Sequence, residues 1–221
     1  LLISGSAIGL SLRGFSKIPL GFQNVLEFIV ESLLKFIQSV TGDEKRAKRF
    51  LPLIATLFLF IMVSNYLGLL PGVGSIGFYE IHEGERVLIP LFRSANSDLN
   101  TTIALALISV LGTHIFGIIT LGFWRHIGKF VNFKLLVKNP IMFAVGILEV
   151  FGEVSKIVSF SFRLFGNIFA GEVLLVVMGT LVSFVAPVPF YFLELFVGFI
   201  QALVFAILTL VFLTMATESH H

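Results

Sequence analysis

From Phe190 to Thr217 the chain runs for 28 residues with a single charged side chain, Glu194. A helix rises 1.5 Å per residue, so about 20 apolar residues cross the ~30 Å hydrocarbon core of a bilayer. A run of this kind belongs in lipid, where the backbone must satisfy its own hydrogen bonds. Two more runs, 50–70 and 101–123, have span length, and a longer one covers 140–184. All are continuous, whereas a β-barrel shows short alternating segments. The 221 residues are 57% apolar and 13% charged, with a mean hydropathy of +1.01. That charged share is about half the usual globular value, and a soluble protein of this size cannot hide so much apolar surface. The expected fold class is an all-α polytopic membrane protein, residues 1–221 forming a single membrane domain.

Residues 1–13 are apolar but too few to span. They read as the remnant of a first helix that begins before Leu1, and no basic stretch precedes them as in a signal peptide. Residues 22–40 place Val25, Leu26, Ile29, Val30, Leu33, Leu34 and Ile37 at helical spacing, opposite Glu27, Glu31, Lys35 and Gln38. This pattern predicts an interfacial helix on the membrane surface. Segments 42–49 and 124–139 each hold four Lys/Arg and at most two acids, while the polar loop 71–100 holds two Lys/Arg and four acids. The positive-inside rule therefore puts the first two in the cytoplasm and the third outside. Within that external loop, Ser97-Asp98-Leu99-Asn100 supplies N-cap residues for the span 101–123.

After Pro140 the chain reads as helix to about residue 184, on the order of 60 Å. A helix that long is broken, protrudes, or lies steeply tilted. Pro187 and Pro189 are expected to make a turn into the helix 190–218. The two form an antiparallel hairpin beside two upright spans.

Polar residues in the first hairpin helix are not scattered. Glu149, Glu153, Lys156, Arg163 and Asn167 fall within roughly 40° of one line on a helical wheel. Such a stripe must face protein or water rather than lipid, and an ionisable group at that depth is functional by default. Arg163 is its most costly member, about 2.5–3.5 kcal/mol on insertion scales. No carboxylate lies one turn away, so its counter-charge is expected from another subunit. Glu172 lies off the stripe. In the second hairpin helix Glu194 and Gln201 share a face, and the turn could bring Glu172 near Glu194. Structural ion pairing is the competing account, with Lys156 meeting Glu149 or Glu153 at helical spacing.

Other signals carry less. There is no cysteine, hence no disulfide or thiolate chemistry. Gly72-Val73-Gly74-Ser75-Ile76-Gly77 matches GxGxxG in form but opens no βαβ unit. Asn100-Thr101-Thr102 reads as a helix cap rather than a glycosylation site. His114, mid-span, reads as a satisfied core histidine sooner than a proton carrier. His82 and His126 lack a second ligand at metal spacing. His220 and His221 read as tail. No phosphate-binding loop is present, so the chain itself is not expected to bind ATP. Neither metal nor cofactor is expected, and a net charge of +2 gives no sign of nucleic acid.

The run Ser161-Phe162-Arg163-Leu164-Phe165-Gly166-Asn167-Ile168-Phe169-Ala170-Gly171-Glu172 closely resembles the signature of subunit a of F-type ATP synthases. Phe199-Ile200-Gln201-Ala202-Leu203-Val204-Phe205, Ser97-Asp98-Leu99-Asn100 and Asn65-Tyr66-Leu67-Gly68-Leu69-Leu70-Pro71 add to the resemblance, in order along nearly the whole chain. It implies an ion-translocating membrane stator beside a rotating c-subunit ring, with peripheral-stalk b subunits and other synthase subunits as partners. Arg163 matches the family's essential arginine, the fixed charge between two offset half-channels for H⁺ or Na⁺. Asn167, Glu172, Glu194, Gln201, Asp98 and Asn100 match the external half-channel; Glu149, Glu153, Lys156 and Ser159 would belong to the cytoplasmic one. Relatives carry either a carboxylate or a histidine at the position of Glu194. The expected location is a bacterial plasma membrane in preference to an organelle. The rival readings are a stand-alone secondary transporter, which would transport without partners, and a purely structural anchor.

Overall fold

A computed structural model describes residues 22–70, 77–82, 85–90, 94–123, 140–181 and 187–218. The first-helix remnant 1–13, most of the glycine-rich motif, the basic segment 124–139 and the terminal histidines lie outside the described residues. The chain parts into two compact units, Leu1–Ala55 and Thr56–His221.

In the first unit, α1 covers Phe22–Thr41. Its polar face carries a Glu31–Lys35 ion pair at 3.0 Å, while Val25, Phe28 and Val30 stay exposed. Gly42 ends the helix at φ +68°, with its N–H donating to the Gln38 carbonyl at 2.9 Å. Glycine reaches this left-handed conformation without a Cβ penalty. The Asp43 carboxylate then accepts from the backbone N–H of Lys45 at 3.1 Å, starting α2, Glu44–Gly68, whose residues from Thr56 on belong to the second unit. Glu44–Lys48 pairs at 2.6 Å in its first turns.

In the second unit, strands β1, Gly77–His82, and β2, Glu85–Pro90, pair antiparallel from Gly77↔Pro90 to His82↔Glu85. The sequence reads as a polar loop over 71–100, with no strand expected in it. Phe78, Tyr79, Ile81, Val87 and Ile89 are strand-favouring residues, and Gly84 lies in the two-residue connection, which is enough for a hairpin. A 3₁₀ turn, Ala95–Ser97, leads into α3, Leu99–Leu121. Asp98 caps α3 by accepting from the Asn100 N–H at 2.9 Å. The remaining elements are α4, Pro140–Leu181, and α5, Pro187–Thr217. Pro187 and Pro189 sit in the first turn of α5 rather than before it. Proline is tolerated there because the first amides of a helix have no intrahelical acceptor. Among the described residues four helices are long and apolar enough to cross a membrane: Glu44–Gly68, Leu99–Leu121, Gly146–Leu181 and Pro187–Thr217.

Helices α3, α4 and α5 pack on one another. Phe160 of α4 lies 4.9 Å from the Phe205 ring and 5.8 Å from that of Phe212 on α5. Leu164, Ile168, Leu210 and Leu213 are buried with them. Between α3 and α5 the seam is lined by small polar residues, with the Ser109 and Thr209 hydroxyls 2.8 Å apart. Side chains this small let helix backbones approach closely.

A buried amide cluster joins α2, the 3₁₀ turn and α5. Asn65 Nδ2 donates to the Gly198 carbonyl at 2.9 Å. Asn96 Nδ2 donates to Asn65 Oδ1 at 2.7 Å and to the Ile61 carbonyl at 3.3 Å. Ser94 Oγ donates to the Ser64 carbonyl at 3.2 Å. A Cβ at Gly68 would come within 2.5 Å of the Ser94 Cβ, so glycine is what lets this turn seat on α2.

Candidate functional site

The antiparallel course of α4 and α5 sets out two polar clusters with Arg163 between them. The first lies toward the connection between the two helices. Asn167 Nδ2 donates to Gln201 Oε1 at 2.7 Å. Nearer the connection, the Glu194 carboxylate occupies the space a Cβ would need at Gly171. Glu194 is 5% exposed and Gln201 4%. Glu172, off the stripe in sequence, interacts electrostatically with Glu194. Gln201 Nε2 is buried, with no hydrogen-bond partner among the described residues.

The second cluster lies toward the start of α4. Glu153 Oε1 accepts from Lys156 Nζ at 2.6 Å, and the ammonium sits 4.4 Å from the centre of the Phe212 ring. The other oxygen, Glu153 Oε2, faces His114 Nε2 of α3 at 3.4 Å. Glu149 is exposed, one turn earlier on α4. The structural pairing weighed from the sequence thus exists for Lys156 and Glu153. It leaves Arg163 untouched.

Arg163 is exposed, and its one polar contact among the described residues is a 3.4 Å hydrogen bond to Ser159 Oγ. No carboxylate of the described residues lies within ion-pairing distance. Glu153 and Arg163 are ten residues apart on α4, about 15 Å; Gly171 is about 12 Å beyond. Phe162 and Phe169, on the same side of α4, are 57% and 44% exposed. Gly152 and Gly166 would meet nothing within 4 Å if given a Cβ. Asp98 and Asn100 are exposed and engaged in capping α3.

Sequence reading missed the partner of Glu153 on α3 and the Asn65–Asn96 lock. His114, alone in an apolar run, was the visible signal for the first. Among the described residues no three His, Cys, Asp or Glu side chains gather to hold a metal.

A permanent cation presented from a bundle of membrane helices, with a polar cluster on either side, marks an ion-handling membrane protein. The sequence pattern described as ATP synthase A chain matches residues 2–214, and the chain belongs to that family. It is 38% identical over 220 residues to ATP synthase subunit a of Gloeobacter violaceus, covering 100% of this chain and 80% of that one. The same comparison with ATP synthase subunit a of Syntrophobacter fumaroxidans gives 36% over 213 residues, covering 96% and 78%. For ATP synthase subunit a of Campylobacter jejuni strain 81-176 it gives 36% over 209 residues, covering 94% and 82%. The chain is an integral protein of a bacterial plasma membrane. It is the ion-translocating stator subunit of an F-type ATP synthase, acting together with the other subunits of that complex.

Proposed function

We propose that Arg163 is the fixed charge separating two offset half-channels, and that it faces a carboxylate on each passing subunit of the c ring. The observation that carries this reading is a guanidinium exposed on a membrane helix with no carboxylate of the described residues within ion-pairing distance. A guanidinium does not give up its proton, and in hydrocarbon it needs a partner. A ring carboxylate can face lipid only when neutralised by H⁺ or Na⁺. Beside Arg163 its charged form is favoured, so the ion is released. The same positive charge repels a cation attempting to cross directly.

Asn167, Glu172, Glu194 and Gln201 would form the external half-channel, with Asp98 and Asn100 at its mouth. Glu149, Glu153, Lys156 and Ser159 would form the cytoplasmic one. The about 27 Å of α4 from Glu153 to Gly171 supplies the offset. Helix α4, 42 residues long and so about 63 Å, would lie tilted to stay within the bilayer. It is the least buried of the four spans, which fits a face closed by the ring, while b subunits of the peripheral stalk hold the stator still. Across 100 mV each charge moved yields roughly 2.3 kcal/mol, which the offset converts to rotation in one direction.

The test is ATP-driven ion pumping in vesicles holding the complete synthase. Arg163→Ala is expected to abolish pumping while the complex assembles to wild-type level. Pumping equal to wild type would overturn the reading.

A further inference from the structure

The cluster of Glu153, Lys156 and His114 is drawn from two helices, and its α3 member has no role in the mechanism above. Lys156 occupies one oxygen of Glu153, at 2.6 Å, and is itself held over the Phe212 ring at 4.4 Å. The second oxygen is turned to His114 Nε2 at 3.4 Å. The three side chains are 19–27% exposed, partly shielded and still within reach of water. His114 is the sole titratable residue of α3 (99–121), and the titratable residues of α5 are Tyr191 and Glu194. Glu194 is eighteen residues from Phe212, about 27 Å. On α4 the charged groups of this face are Glu153, which contacts the imidazole, Lys156, which contacts Glu153, and Glu149, exposed one turn earlier. His114 stands about two turns before the end of α3, and that end leads into the basic segment 124–139.

We propose that His114 is the proton-exchanging member of the cytoplasmic half-channel, and that Glu153 and Lys156 position it. An imidazole is the side-chain type that takes up and releases a proton near neutral pH, whereas a lysine–carboxylate pair holds its charges. A proton on its way to the cytoplasm binds the neutral imidazole and converts it to imidazolium. The Glu153 carboxylate balances the new charge. The proton then passes to water at the inner mouth, and the neutral ring is restored. In the pumping direction the same steps run in reverse. Lys156 keeps Glu153 charged and aimed, so the pair offers the ring a fixed dipole rather than a second mobile proton.

This inference rests on the half-channel reading, and the experiment separates the two. Passive proton flux is measured in vesicles holding the membrane sector with its c ring, at cytoplasmic-side pH values from about 5.5 to 8.5, the range in which imidazole titrates. The variants are His114→Gln and Glu153→Gln, each compared at equal ring content. Glutamine keeps the size and a hydrogen bond to Glu153 but cannot take the extra proton. His114→Gln is expected to lower flux ~10-fold or more and to flatten its pH dependence. Glu153→Gln is expected to shift that dependence, and the double variant to be no worse than His114→Gln, because the two act as one unit. A wild-type flux and pH profile in His114→Gln overturns the proposal, as does a flux loss with an unchanged profile, which marks a packing role. A wild type that passes no protons overturns it too. ATP-driven pumping by Arg163→Ala, assayed alongside, reports on the half-channel reading alone.

Discussion

Among single residues, Gly171 and Glu194 show how closely the site is fitted. The carboxylate lies where any Cβ at 171 would go. It is the far end of a flexible side chain, so Gly171→Ala should displace the carboxylate and leave the fold intact. If Glu194 handles the ion as proposed, a displacement on the order of 1 Å costs up to about 100-fold. Gly171→Ala is expected to cut ATP-driven pumping by about 10- to 100-fold at normal assembly. Adding Glu194→Asp, one methylene shorter, should recover part of it. Pumping rates of the two variants in vesicles check both statements. Arg163 was legible at this scale because a charge in an apolar run stands out in one dimension. The role of His114 was not, because its partner lies on another helix and only packing brings Glu153 to it.

At the level of elements, the amide lock decides where the α3 cap sits relative to α2 and α5. Asn65 is 2% exposed and Asn96 0%. Asn65 Oδ1 accepts from Asn96 Nδ2, and Asn96 Oδ1 has no partner among the described residues. Asn65→Ala leaves the Asn96 amide with the Ile61 carbonyl alone. The expected cost is about 1–3 kcal/mol, seen as a lower midpoint of thermal unfolding for the detergent-purified synthase. Asn96→Ala should add little on top, since both changes break one network. Helix spacing, caps and span lengths could be read from sequence because they depend on neighbours within about one turn. The β1–β2 hairpin was hidden because charged residues at 80, 83, 85 and 86 mask the strand-forming residues between them. The start of α5 at Pro187 was hidden because proline suits a turn and a first helical turn equally.

For the whole molecule, α4 has two unlike sides. One carries Phe160, Leu164 and Ile168 into the core. The other presents Arg163, Phe162, Phe169 and the open glycines 152 and 166. Nothing in the packing of the described residues calls for glycine at 166, so Gly166→Leu should leave the isolated subunit folded. If this side meets the c ring, leucine there should block close approach. The expected outcome is loss of ring co-purification, by ~10-fold or more, with unchanged helix content by circular dichroism. Retained ring association at wild-type level would place the ring elsewhere.

Residue order along the chain determined that this protein lives in a membrane, how many helices can span it, and that one of them carries a stripe of charge. Those properties follow from hydrophobic burial and the helical period, which are local. Only the tertiary structure decided that the stripe divides. Glu153 and Lys156 turn toward α3 and α5, Asn167 toward Gln201, and Arg163 is left facing outward. On one helix these side chains share a face. What each meets depends on the neighbouring helices, and their placement is a property of packing that no single segment encodes.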